Sequence, residues 1–278
     1  MAALPFTPEL LGEPVLDQDV SPSSSEGLVL GSNELFRFSP ESTYWVGRVT
    51  TQGEVHNPLY WDRLAKFRSI YVDLGFKSPE SLDEEGRLTD DYDSISDNFA
   101  VVENTPDGEG FKDTIVGSGR LIVKDAATLL PIEDEFPELF GDSPIPPGYA
   151  EASRFIAKHE KKFMQRMISA SVLRALTFRS IGAEIDEVYC MVEVGLKRML
   201  AEKVGLPVEQ LTEDPKDIPS QGGALYPIAI KPAEVLESLR NGESAEKQGV
   251  SSYKQFFGSA VDSSGEGFFD NTLMRGQV

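Results

Sequence analysis

The chain predicts one mixed α/β domain built around a single sheet, with a tail on either side. Three observations carry this expectation. Segments of helical period alternate with short apolar runs of strand character across residues 43–240. Two of those runs flank PDGEG, a turn-forming stretch that suits an antiparallel hairpin. Outside 43–240 the composition shifts to proline, serine, glycine and acid.

Residues 1–42 hold five prolines, a SPSSS run and seven acidic residues against one arginine, a composition that resists folding alone. They are expected to form a flexible acidic tail. In HNPLYWDRLAKFRSIYVDLGF, Asn57 is a natural N-cap and Pro58 suits the first helical position. Tyr60, Leu64, Phe67 and Tyr71 follow at helical spacing. SDNFAVVEN and TIVGSGRLIVKD are the two hairpin strands, and ASRFIAK is a third. KKFMQRMISASVLRALTFRSIG predicts a long helix ending at Gly182. EVYCMVEV is a buried strand, VGLKRMLAEKVG a helix closed by Gly205, ALYPIAI a last strand, and PAEVLESL a helix. Residues 241–278 are again rich in glycine and serine and are expected to form a second tail.

Composition excludes several classes. A net charge of −20 argues against a broad nucleic-acid surface, because phosphates demand cationic patches. The single cysteine, Cys190, cannot form an intrachain disulfide, which fits a reducing, cytoplasmic compartment. The N-terminus lacks a basic region followed by an apolar stretch, so no signal peptide is expected. No run approaches the ~18 apolar residues of a membrane span.

Six charged residues fall where surface decoration explains them poorly. Arg68 lies among helix aromatics, and Asp90 and Asp93 surround Tyr92 in TDDYD. Arg120 sits in the strand GSGRLIV, and Glu151 and Arg154 share the strand YAEASRF. Strict alternation would put Ala152 and Arg154 on one face and Glu151, Ser153 and Phe155 on the other. The six form either one buried ion network, costly unless every member is paired, or separate surface pairs worth little.

In order, RSIYVDLGF, DDYD, GSGRLI, LPIEDEFPELF and EASRF resemble the LuxI-type acyl-homoserine lactone synthases. They equally resemble the FeeM-like N-acyl amino acid synthases and the exosortase-associated acyltransferases. The similarity spans residues 60–230. It implies the GNAT acyltransferase fold, with a mostly antiparallel central sheet and helices on both faces. It also implies transfer of a fatty acyl group from acyl carrier protein or acyl-coenzyme A, as co-substrate, to a small amine. No tightly bound cofactor or metal is implied.

The family's charged set maps onto Arg68, Asp90, Asp93, Arg120, Glu151 and Arg154. The resemblance implies that Glu151, Arg120 and Arg154 serve the chemistry, with Glu151 as base or else in a salt bridge to Arg120 or Arg154. Arg68, Phe76, Asp90, Asp93 and Ser153 are implied to bind the acceptor or to order the loop over it. Leu88 stands where LuxI-type enzymes carry an acid, and Phe76 where they usually carry tryptophan. These departures weigh against S-adenosylmethionine as the acceptor, and so against a quorum-sensing lactone, while leaving acyl transfer intact. The choice between that acceptor and a free amino acid stays open.

Between Arg154 and Arg179 lie seven lysines and arginines against one acid, Glu160. Lys158, Lys161, Lys162 and Arg166 crowd the start of the long helix, where the helix dipole disfavours cations. They are expected to dock an acidic carrier protein or the coenzyme A phosphates, or else to form a solvated face paired with the acidic tails. The long helix also carries Met164, Met167, Leu173 and Leu176, which suit an acyl tunnel or plain core. A non-catalytic GNAT-shaped module that binds a carrier or partner through helix 158–179 is the competing class. An ordinary lysine acetyltransferase would need a Gly-rich loop after the central strand, where this chain has HEKKFMQRM.

Overall fold

The computed structural model describes residues 34–37, 43–51, 57–106, 111–204, 206–218 and 223–241. In chain order the elements are β1 (Glu34–Arg37), β2 (Tyr44–Val49), α1 (Pro58–Phe67), α2 (Ile70–Asp73), β3 (Ser96–Pro106) and β4 (Phe111–Val123). There follow α3 (Pro131–Glu135), α4 (Pro137–Phe140), β5 (Ala150–Ala157), α5 (Lys162–Gly182), β6 (Val188–Val192) and α6 (Val194–Arg198). The chain closes with β7 (Val208–Gln210), β8 (Lys216–Ile218), β9 (Gly223–Ile230) and α7 (Pro232–Asn241).

The strands make one sheet in the order β1-β2-β3-β4-β5-β6-β9-β7, with β8 also paired to β9. Every pairing is antiparallel except β5 with β6. That parallel pair is short: only Ala150 faces Val188 and Glu151 faces Tyr189. Beyond Glu151 the two strands part, so the sheet forks at its centre.

Helices cover both faces. Trp45, Ala100, Val102 and Ile115 pack against Tyr60 and Leu64 of α1. On the same face, Ile122 packs with Leu130, Ile132 and Phe136 of the α3 region. On the other face Val46, Phe99, Val101 and Leu121 meet Ile168, Val172, Ala175 and Leu176 of α5. Neighbouring β3 residues alternate between these clusters, as a period of two requires. Contact between α5 and β4 is close because β4 offers glycines: a Cβ on Gly119 would lie 2.6 Å from Val172 Cγ1, and one on Gly117 would strike Ile168 Cγ2.

Local signals explain several boundaries. The Asn57 side chain accepts from Leu59 N and Tyr60 N, and Pro58 opens α1. The expected single helix through Tyr71 breaks after Phe67 and resumes as α2, a step that swings the Arg68 side chain into the core. Helix α6 runs on into a π-helical turn, Met199–Val204, rather than continuing as a regular helix, and the expected closure at Gly205 lies outside the described residues. TDDYD forms a 3-10 turn, Asp91–Ile95, rather than an open loop. Within the stretch expected as an N-terminal tail, Glu34–Arg37 pairs with β2 as an edge strand. The rest of residues 1–42, the PDGEG turn beyond Pro106, and residues 242–278 lie outside the described residues.

Candidate active site

The fork between β5 and β6 opens into a cavity of about 400 Å3. One part is polar, lined by Asp90, Arg120, Glu151, Ser153, Arg154 and Lys77. The other is apolar, lined by Phe155, Leu173, Leu176, Val192, Leu196 and Leu200. Such a size and such a division suit a small ligand with a charged head and an aliphatic tail.

A β-bulge shapes the polar floor. Opposite β4, Arg120 faces Ser153 and Ser118 faces Ile156, so two β5 residues face one on β4. Arg154 absorbs the extra residue with a φ of 54°. The carbonyl of Arg154 accepts from Ser118 Oγ at 2.7 Å, and that of Phe155 from Tyr71 Oη at 3.2 Å. Strict alternation therefore fails here. Phe155 joins Ala152 in the cluster against α5, while Ser153 and Arg154 both engage the charged network on the opposite face.

That network alternates in sign. Arg68 Nη1 donates to Asp93 Oδ1 at 2.8 Å, and Arg120 Nη1 donates to the same atom at 3.1 Å. Arg120 Nη1 also reaches Asp90 Oδ1 at 2.5 Å, and Arg154 Nη2 reaches Asp90 Oδ2 at 2.8 Å. Asn98 accepts from Arg68 Nη2 at 2.6 Å, and Ser153 Oγ from Arg120 Nε at 3.0 Å. The two aspartates brace each other through the turn, since Asp93 Oδ2 accepts from Asp90 N at 3.0 Å. Each arginine also stacks on an aromatic ring: Arg68 on Trp61, Arg120 on Tyr92 and Arg154 on Tyr71, all at 5.7 Å. Of the two arrangements the sequence allowed, the structure has the network, largely buried and joining five of the six residues.

The network sorts the expected site residues. Asp90, Arg120, Ser153 and Arg154 line the cavity, as does Phe76, whose ring lies 5.8 Å from that of Tyr71. Arg68 and Asp93 do not line it. Both are buried behind it, where they hold Arg120 in place rather than meeting a ligand. Leu88 is also buried, bonded through its N–H to Ala65 O on α1.

Glu151 stands apart from the network. Its side chain is wholly buried; Oε2 accepts from Ile132 N at 2.7 Å, and Oε1 has no hydrogen-bonding partner among the described residues. The alternative of a salt bridge to Arg120 or Arg154 is not formed, because Asp90 and Asp93 hold those arginines. Burial pushes the Glu151 carboxyl up to about 8, against the pull of the Ile132 N–H and of Arg120. At Asp90 burial works the same way, but the Arg120 and Arg154 guanidiniums outweigh it and hold the carboxyl at about 2. Two carboxyls in one cavity are thus shifted in opposite directions. Cys190 also lines the cavity, with burial and then Glu151 pushing its thiol up to about 12.

The basic cluster resolves into two groups. Arg154, Arg174 and Arg179 turn inward, onto Asp90, the Phe178 ring and Asp97 respectively. Lys158, Lys161, Lys162 and Arg166 are exposed around the start of α5, where no acid occupies the first turn. Phe163 stands among them, 55% exposed. Sequence reasoning gave Lys77, Asp134 and Glu135 no role, yet all three line the cavity. The LPIEDEF stretch was the only signal for the last two. No group of metal-ligating side chains and no helix long and apolar enough to cross a membrane occurs among the described residues.

Comparison with known proteins agrees on architecture. The AHL synthase LasI superposes with a TM-score of 0.52 at 21% identity, covering 68% of this chain and 89% of that one. TofI, in a ternary complex with an inhibitor and MTA, gives 0.51 at 16% identity, covering 74% and 96%. No protein-family model and no curated protein sequence matches the chain. At these identities the likeness establishes the fold alone, a mostly antiparallel sheet with helices on both faces, as expected from the sequence.

Proposed function

We propose that the chain is a cytoplasmic N-acyltransferase that moves a fatty acyl group from acyl carrier protein or acyl-coenzyme A to the amino group of a small amino-acid-like acceptor. The observation that carries this reading is Glu151: a buried carboxyl with one oxygen unbonded among the described residues, beside a cavity divided into charged and aliphatic parts. LasI, whose fold the chain shares, is an AHL synthase, which supports the same reaction class.

The acceptor enters as an ammonium. Ionised Glu151 takes one proton through Oε1, freeing the nitrogen lone pair. The amine attacks the thioester carbonyl, the C–N bond forms and the C–S bond breaks. The second nitrogen proton passes to the departing sulfur, giving an amide and a free thiol. Glu151 then returns its proton to solvent. β5 beyond Glu151 has no strand partner on the β6 side, so its backbone edge supports the carbonyl oxygen as charge develops. Arg120 and Arg154, fixed by Asp90, orient the acceptor's charged groups by position rather than by proton transfer. The acyl chain lies along Leu173, Leu176, Leu196 and Leu200. Lys158, Lys161, Lys162 and Arg166 dock the donor's acidic carrier.

Leu88 is core, so the loop offers no second carboxylate where lactone synthases carry one. This favours a free amino acid over S-adenosylmethionine. The test is thiol release from an acylated carrier protein in the presence of an amino acid mixture. The unaltered chain should release thiol only with an amine present. Lys161→Glu with Lys162→Glu should raise KM for the carrier-borne donor and leave kcat on a short acyl thioester unchanged. Thiol release indifferent to amines would sink the reading in favour of thioester hydrolysis, and its absence would sink it in favour of a non-catalytic carrier-binding module.

A further inference from the structure

We infer that Lys124 and Glu133 form a positioning clamp that fixes the Ile132 N–H on Glu151 and so aims the free oxygen of Glu151 at the cavity. This rests on the reading of Glu151 as the group that handles the proton. Its acidic half, Glu133, lies in LPIEDEF, to which neither the sequence nor the proposed chemistry gives a task.

The connection from β4 to β5 contains only two helices of five and four residues, too short to hold themselves. The buried Glu133 carboxylate ties it together. Its Oε2 accepts from Lys124 Nζ at 2.6 Å and from Leu130 N at 2.7 Å, and its Oε1 accepts from Ile145 N at 2.9 Å. Three donors are thereby gathered from the end of β4, the start of α3 and the return toward β5. Lys124 N in turn bonds Tyr149 O, which closes the connection into a ring. One residue before Glu133, Ile132 is buried and its N–H points at Glu151 Oε2, 2.7 Å away.

A buried ion pair is seldom more stable than an apolar pair of the same volume. Lys124 and Glu133 are both buried, so packing alone does not account for them. They hold one backbone donor on one carboxyl. The groups facing Glu151 are Arg120 from β4, Asp90 and Tyr92 from the 3-10 turn, Glu133 from α3 and Cys190 from β6. The Ile132 N–H is the only hydrogen bond that Glu151 receives from a described residue, and it favours the ionised form.

The full chain, labelled with carboxyl-13C glutamate and 15N, tests this by NMR titration across the neutral and alkaline range. In the unaltered chain the Ile132 amide proton should titrate with the same midpoint as the Glu151 carboxyl. Lys124→Met should raise that midpoint by about one pH unit, as expected for loss of a hydrogen bond to the ionised form. Lys124→Arg should restore it. An Ile132 amide that stays silent while Glu151 titrates would overturn the clamp, and needs no variant to be folded. So would a Lys124→Met chain with a lower Tm and an unmoved midpoint, since the pair would then be merely structural. Either result leaves the acyltransferase reading standing, because that reading fails separately, through the activity of Glu151→Gln.

Discussion

Arg154 reaches Asp90 at 2.8 Å from a backbone φ of 54°, a left-handed conformation that residues other than glycine seldom adopt. Such a conformation costs about 1–2 kcal/mol and persists only where surrounding contacts impose it. Here the Ser118 and Tyr71 hydroxyls hold the two bulge carbonyls, and the strained residue delivers its guanidinium to the cavity floor. Arg154→Lys keeps the charge but loses the planar fork. It should lower acyl transfer by about two orders of magnitude through misplacement of the acceptor, with a Tm close to that of the unaltered chain. Parallel rate and melting measurements check both halves.

Asp93 receives both Arg68 and Arg120 in a buried setting, whereas Lys66 and Asp62 form an i,i+4 pair with side chains 49% and 33% exposed. Removing one partner of a buried pair costs about 3–5 kcal/mol, and an exposed helical pair contributes about 0.3–0.5 kcal/mol. Denaturant titration should therefore show Asp93→Asn strongly destabilised and Lys66→Ala nearly unchanged.

The two cavity carboxyls give opposite pH dependences. Glu151 titrates near 8 when folded, above its ordinary 4.5, so the native state holds the proton more tightly. Its contribution to stability is greatest at low pH and declines as pH rises from about 4.5 to 8. Asp90 titrates near 2, below its ordinary 3.8, so its contribution is present above 3.8 and is lost as pH falls toward 2. Glu151→Gln should flatten the first decline and leave the acid limb alone, as read from denaturation midpoints across pH. In the unaltered chain the acyl-transfer rate should climb through about pH 8 and level off.

Gly119 allows a close approach of α5 to the sheet, with Val172 Cγ1 2.6 Å from where a Cβ would stand. Gly119→Ala should destabilise by about 1–3 kcal/mol through overpacking. Adding Val172→Ala should recover part of that loss, a coupling that a double-mutant cycle measures directly.

The elements with a sustained period were legible: the Asn57-capped start of α1, the hairpin strands and the long helix ending at Gly182 stand where the sequence puts them. Strands β7 and β8 were not, because three residues carry no period. Five charged members of the network were readable, but neither their depth nor the separation of Glu151 from them was. Nothing in the helix pattern says that the chain breaks after Phe67 and carries Arg68 behind the cavity. The bulge at Arg154 was invisible for a related reason: a strand residue with positive φ is normally announced by glycine, and here tertiary contacts impose it on arginine. Lys124, in RLIVKD, carries no local signal of burial, which comes from its distant partners Glu133 and Tyr149.

The central claim is that Glu151 serves acyl transfer to an amine. Untargeted lipid mass spectrometry on a host expressing the chain, beside the same host expressing Glu151→Gln, tests it most directly. The account predicts an acylated amine that appears with the unaltered chain and falls by at least about a hundredfold with the variant, the scale expected for loss of a general base. An equal amount of that product from both chains would contradict it.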